Sequence, residues 1–134
     1  RVIASPDTSK FWRMATALGY WLGLRMIDVC KLERASIGED FAVLYPHKTG
    51  RRLVLPIHDP MIGSGELRAV FQELLARVPE KQTLCFPERS KQYNTNRSTM
   101  NEQYATVLER AGIIGKSFHS LRHAFKVRLN FRTK

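Results

Sequence analysis

The sequence predicts an α+β domain, mainly helical: one unit of helices packed around a small antiparallel β-sheet. Two observations predict it. Apolar residues recur at helical three-four spacing along most of the chain, and one internal stretch switches to β-forming residues flanking a turn. With 134 residues, 43% hydrophobic and 25% charged, the chain has the size and balance of one folded domain. No internal repeat, low-complexity tract or linker divides it.

Phe11, Met14, Ala15, Leu18 and Leu22 fall on one helix face, and Gly23 is a natural stop because glycine accepts a left-handed cap. A second, short helix is expected from about Leu24, carrying Met26, Ile27, Val29, Cys30 and Leu32. Phe41 to Tyr45 and Arg52 to Ile57 read as the strands of a hairpin with Lys48, Thr49 and Gly50 between them, and Glu33 to Ile37 as a third strand. After a loop around Asp59, Pro60, Gly63 and Gly65, the stripe Leu67, Val70, Phe71, Leu74 and Val78 marks a helix that ends at Pro79. Lys81 to Arg97 is polar and reads as a loop, with Leu84 to Pro87 tucked inward. Ser98 or Thr99 is placed to cap a helix bearing Met100, Tyr104, Val107, Leu108 and Ala111, closed by Gly112. Ser117 is placed to cap a last helix running on from Phe118.

Lysines and arginines number 22 against 12 acidic residues, a net charge of +10. An excess this large favours an anionic polymer, nucleic acid first, although solubility alone would also fit. From Ile113 onward there are Lys116, Arg122, Lys126, Arg128, Arg132 and Lys134 and no acidic residue. No apolar run is long enough to span a bilayer, and the first residues lack a secretory pattern. The two cysteines, Cys30 and Cys85, form no C-x-x-C pair, which points to a reducing compartment and away from a zinc site or disulfide scaffold.

The last helix carries the most chemistry. At about 100° per residue, Phe118, Leu121, Phe125 and Leu129 share one side, and His119, Arg122, His123 and Lys126 group opposite. Two imidazoles, a guanidinium and an ammonium then line one exposed stripe beside a helix start, an arrangement suited to phosphate. The same stripe fits a merely solvated basic face. Arg25 follows the glycine break with Asp28 one turn on, so a carboxylate can hold the guanidinium while its other donors grip a phosphate; an ordinary surface ion pair has the same spacing. Lys48, at the hairpin tip, can reach a DNA backbone or protonate an oxygen leaving phosphorus. His47 and His58 read as solvated turn residues.

Together these pieces resemble the tyrosine site-specific recombinases of the phage-integrase type. Gly23-Leu24-Arg25-Met26-Ile27-Asp28-Val29 resembles their G-L-R-x-x-E/D-L box. His119-Ser120-Leu121-Arg122-His123-Ala124-Phe125 resembles the H-x-L-R-H-x-F box, and Lys48-Thr49-Gly50-Arg51 the hairpin with the catalytic lysine. The resemblance implies a metal-free and cofactor-free phosphoryl transfer on double-stranded DNA. In it a tyrosine attacks the scissile phosphate, forms a 3′-phosphotyrosyl link and frees a 5′-hydroxyl.

By position, Arg25 and Arg122 would clamp the phosphate, His119 would assist proton movement and Lys48 would protonate the leaving oxygen. Asp28 would orient Arg25, His123 would orient or pack, and Lys116 and Lys126 would add DNA contacts. The resemblance further implies self-association on DNA when the protein is full-length, no membrane, and a cytoplasmic, nucleoid-associated location.

One element of the pattern is missing. No tyrosine follows Arg122; Tyr20, Tyr45, Tyr93 and Tyr104 all precede it, and Tyr104 lies on an apolar stripe. Residues 1–134 are therefore expected to be a partial catalytic domain, without the C-terminal nucleophile segment and the N-terminal core-binding domain, and unable to cleave DNA alone. The alternatives are a non-catalytic DNA-binding module, and a type IB topoisomerase, which shares the active-site logic.

Overall fold

The computed structural model describes residues 9–38, 40–45, 52–56 and 65–133, with side chains described as far as 127. Helix α1 spans Lys10–Leu22. Ser9 caps it, its Oγ accepting from the Trp12 N–H at 3.4 Å. The predicted stripe of Phe11, Met14, Ala15 and Leu18 is buried, Leu18 completely. Gly23 ends the helix at φ 70°, and its N–H returns to the Gly19 carbonyl at 3.0 Å. α1 is the axis of the molecule, with the next two helices and the last all packing on it.

Helix α2, Met26–Cys30, begins later than expected because Arg25 is extended (φ −83°, ψ 163°) and forms the N-cap. The proposed strand from Glu33 to Ile37 is instead a 3-10 turn at Arg34–Ser36 with an isolated β-bridge at either end, Glu33 to Leu84 and Ile37 to Ala42. The Arg34 side chain imposes the turn: Nη1 donates back to the Ile37 carbonyl at 3.1 Å, and Nε donates to the Val78 carbonyl at 2.9 Å. Strands β1, Phe41–Leu44, and β2, Leu53–Pro56, pair antiparallel, Phe41 opposite Pro56 and Leu44 opposite Leu53. The hairpin turns Ala42, Leu44 and Leu55 into the core. Its tip, with His47, Lys48 and Arg51, lies outside the described residues, as does His58.

Helix α3, Glu66–Arg77, buries Leu67, Val70, Phe71 and Leu74, as its periodicity predicts. The segment read as a polar loop contains a helix, α4, Pro87–Thr95, with Pro87 in its first turn and only Ser90 buried. Its stability comes from partners rather than an apolar stripe. Lys31, the C-cap of α2, donates to the Ser90 Oγ at 2.9 Å and the Asn94 Oδ1 at 2.7 Å. The Arg89 guanidinium lies 4.6 Å from the Phe11 ring centroid.

Helix α5, Arg97–Arg110, follows after Asn96 alone, so neither Ser98 nor Thr99 is its cap. Gly112 closes it at φ 82°, with the Ile113 N–H bonded to the Leu108 carbonyl at 2.8 Å. Helix α6 is Phe118–Thr133. Ser117 precedes it as expected, but the side-chain bond at this start runs from the Ser117 N–H to the Ser120 Oγ, at 3.1 Å. Both cysteines are buried and free. The fold class is the predicted one: α helices with one small antiparallel sheet. Among the described residues no helix is long and apolar enough to cross a membrane.

Candidate functional site

Two glycines on α1, four residues apart, decide how α6 approaches. A Cβ on Gly19 would stand 2.9 Å from Leu121 Cδ1 and 3.1 Å from Phe118 Cζ, and one on Gly23 only 2.4 Å from Phe125 Cδ2. The side chains Phe118, Leu121 and Phe125 thus occupy the room that side chains at 19 and 23 would need. Phe118 is also fixed from the other side. It is 5% exposed and meets the Tyr104 ring edge-on at 5.2 Å, while the Tyr104 hydroxyl and Thr16 Oγ1 share a hydrogen bond at 2.9 Å. The start of α6 therefore has one position relative to the end of α1.

That docking carries the polar residues with it. Leu24, almost fully buried, anchors the chain immediately after Gly23, and Arg25 comes next. On α6, His119 follows Phe118, and Arg122 lies one turn on from it. The result is a cleft of about 170 Å³ lined by Arg25, His119, Arg122 and Asn101 over a floor that includes Leu24 and Phe118. No described carboxylate lines it.

The Nε atoms of Arg25 and Arg122 are both buried and have no hydrogen-bond partner among the described residues. A buried donor left unsatisfied costs about 1–3 kcal/mol, and more when it is charged. Two such donors beside one cleft form a site short of an acceptor, above all an anionic one.

Of the eight positions singled out in the sequence, Arg25, His119 and Arg122 are brought together. Asp28 is buried and accepts from the Arg25 backbone N–H at 3.0 Å. It therefore fixes the main chain at position 25. Its side chain borders a separate small cavity with Lys31 and Tyr45. His123 and Lys126 are exposed on α6 and do not line the cleft. Arg122 itself is half-buried, so it flanks the apolar side of α6 rather than standing opposite it. Lys116 is exposed at the rim of another, mostly apolar cavity of about 370 Å³ between α1 and α6, near Tyr20 and Trp21. Lys48 lies outside the described residues. Asn101 was not legible: it is a polar residue beside the buried Met100, without a motif around it.

The model of the phage integrase family matches residues 3–132. The chain belongs to the phage integrase family. Its fold is shared with lambda integrase. A dimer of that enzyme bound to a COC′ core site superposes with a TM-score of 0.63 at 16% identity, over 92% of this chain and 46% of that one. A lambda integrase tetramer bound to a Holliday junction gives 0.62 at 15% identity, over 92% and 38%. The chain thus spans less than half the length of these solved relatives. No curated protein sequence matches it. The family assignment agrees with the two boxes read from the sequence, and the cleft lies where those boxes meet.

Proposed function

We propose that this chain supplies the phosphate-clamping part of a DNA strand-exchange centre. One observation carries the reading: Arg25 and Arg122, 97 positions apart, line one cleft with His119, and the buried Nε of each lacks an acceptor. A DNA phosphodiester presents two charged oxygens to such a cleft. Two planar guanidiniums can hold them through paired hydrogen bonds, neutralising charge where it builds during in-line displacement.

In the strand-exchange step a tyrosine oxygen bonds to phosphorus while the bond from phosphorus to the 5′ oxygen breaks. His119 accepts the tyrosine proton, and Lys48 donates one to the departing oxygen, leaving a free 5′-hydroxyl. A hydroxyl of a partner strand then reverses the sequence. The attacking tyrosine is a co-reactant in this scheme. Tyr104 is buried against Thr16, Tyr93 packs under the Arg97 guanidinium at 4.7 Å, and neither Tyr20 nor Tyr45 lines the cleft. Lambda integrase, solved as a dimer and as a tetramer on DNA, supports duplex DNA as the partner and self-association on it.

The test is cleavage of a nicked suicide substrate by the recombinase that carries this chain together with its tyrosine. Arg25→Ala and Arg122→Ala should each raise the barrier by about 2–4 kcal/mol, some 30- to 1,000-fold in rate, while duplex affinity falls measurably but by much less than the cleavage rate. If both variants lose affinity and cleave bound substrate at the normal rate, the surface is a binding patch only, and the non-catalytic reading replaces this one.

A further inference from the structure

We propose that Asn101 is a third donor to the phosphate held in the Arg25–Arg122 cleft, a binding residue that neither sequence box contains; this rests on the reading of that cleft as a phosphate site. Asn101 belongs to α5, so it reaches the cleft from a different element than Arg25, before α2, or His119 and Arg122, on α6. It is exposed, and its amide makes no hydrogen bond to a described residue. Other residues nearby on the helix behave differently: Met100, just before it, is fully buried, and Gln103, two positions on, accepts from Arg89 at 3.1 Å. The fold therefore does not use the Asn101 side chain, although the backbone places it on the wall of the cleft.

The chemistry of the lining says what the amide can add. The other polar groups there are guanidiniums and an imidazole, and no described carboxylate stands among them for the amide to bind. An asparagine Nδ2 has two N–H donors in a fixed plane on a short side chain, so it can add a hydrogen bond from a third direction to a phosphate oxygen that the arginines grip. It also contributes no charge of its own. Its removal should then weaken binding without altering how binding responds to salt, which separates it from the cationic contacts.

The experiment measures binding of this chain to a short DNA duplex across a salt series, for Asn101→Ala, Asn101→Asp and, as control, Arg122→Ala. Asn101→Ala should weaken binding about two- to tenfold, the range of one neutral hydrogen bond, with an unchanged salt slope and an unchanged melting temperature. Asn101→Asp should lose more, because it exchanges a donor for a negative charge facing the phosphate. The loss should be equal on duplexes of different sequence. Wild-type affinity in both Asn101 variants, with Arg122→Ala impaired, overturns the role of Asn101 and leaves the cleft intact. No effect of Arg122→Ala overturns the phosphate site itself. A loss confined to particular base sequences makes Asn101 a base reader and also refutes the proposal.

Discussion

The orphaned Nε atoms of Arg25 and Arg122 are the clearest sign of function at the level of single residues, because a fold without a ligand gains nothing by burying two unsatisfied cationic donors. Polar groups elsewhere among the described residues show what a satisfied partner looks like. Thr16 Oγ1 bonds both the Trp12 carbonyl and the Tyr104 hydroxyl, and Lys31 finds Ser90 and Asn94. The cysteines belong to stability rather than chemistry. Burial pushes the thiols of Cys30 and Cys85 each up to about 11 from 9.0, despite the opposing pull of Arg89 and Lys31 on the first and Arg34 on the second. Burial likewise raises Tyr104, against the lowering effect of its bond to Thr16.

A group whose pKa is higher in the folded state stabilises fully below its unfolded value and loses that contribution as pH rises through the folded one. Urea unfolding should therefore show stability falling between about pH 9 and 11, and Cys30→Ala with Cys85→Ala should flatten the fall. A stability that stays level across that window would contradict the burial of both thiols.

Between elements, the decisive contact is that of α1 with α6, and its glycines give expectations of different size. Gly23→Ala forces a side chain into φ +70° and against the Phe125 ring, so it should cost about 2–4 kcal/mol from strain and overpacking combined. Combined with Phe125→Ala, the loss should be smaller than the sum of the two single losses by about 1 kcal/mol or more. Gly19→Ala meets the end of the Leu121 side chain at 2.9 Å and the fixed Phe118 ring at 3.1 Å, and a gain in helix propensity offsets part of that overlap, so it should cost about 1–2 kcal/mol in the same unfolding measurement.

The elements differ in how far the sequence disclosed them. α1, α3 and α5 bury regular stripes and could be read directly. α4 could not, because only Ser90 is buried along it and its partners come from α1, α2 and α5. The 3-10 turn at Arg34 was hidden for a similar reason: the side-chain bonds that shape it reach Val78 as well as Ile37, and strand propensity carries no trace of them. In the site, the boxes named Arg25, His119 and Arg122 because each sits in a distinctive local pattern. Asn101 has none, and the spacing of Asp28 from Arg25 does not reveal the bond it accepts from the Arg25 backbone N–H.

For the whole molecule, on the proposed function, a charge of +10 would spread association with DNA over many phosphates, of which the cleft would grip one. Lys126, exposed on α6 and outside the cleft lining, is the proposed example of the other contacts. Lys126→Ala should weaken duplex binding slightly and equally for all sequences, and lower the slope of log affinity against log salt by about 0.9, while strand cleavage of bound substrate proceeds at the parental rate. An unchanged slope would remove Lys126 from the DNA contacts.

The sharing of one phosphate by two guanidiniums from distant parts of the chain is what the proposed function rests on. It is tested most directly by following the arginine Nε–H resonances by NMR during titration with a short duplex. The signals of Arg25 and Arg122 should move together with one dissociation constant, and Arg122→Ala should suppress the response at Arg25. Two unrelated constants, or a response at one arginine while the other stays silent, would contradict the shared site.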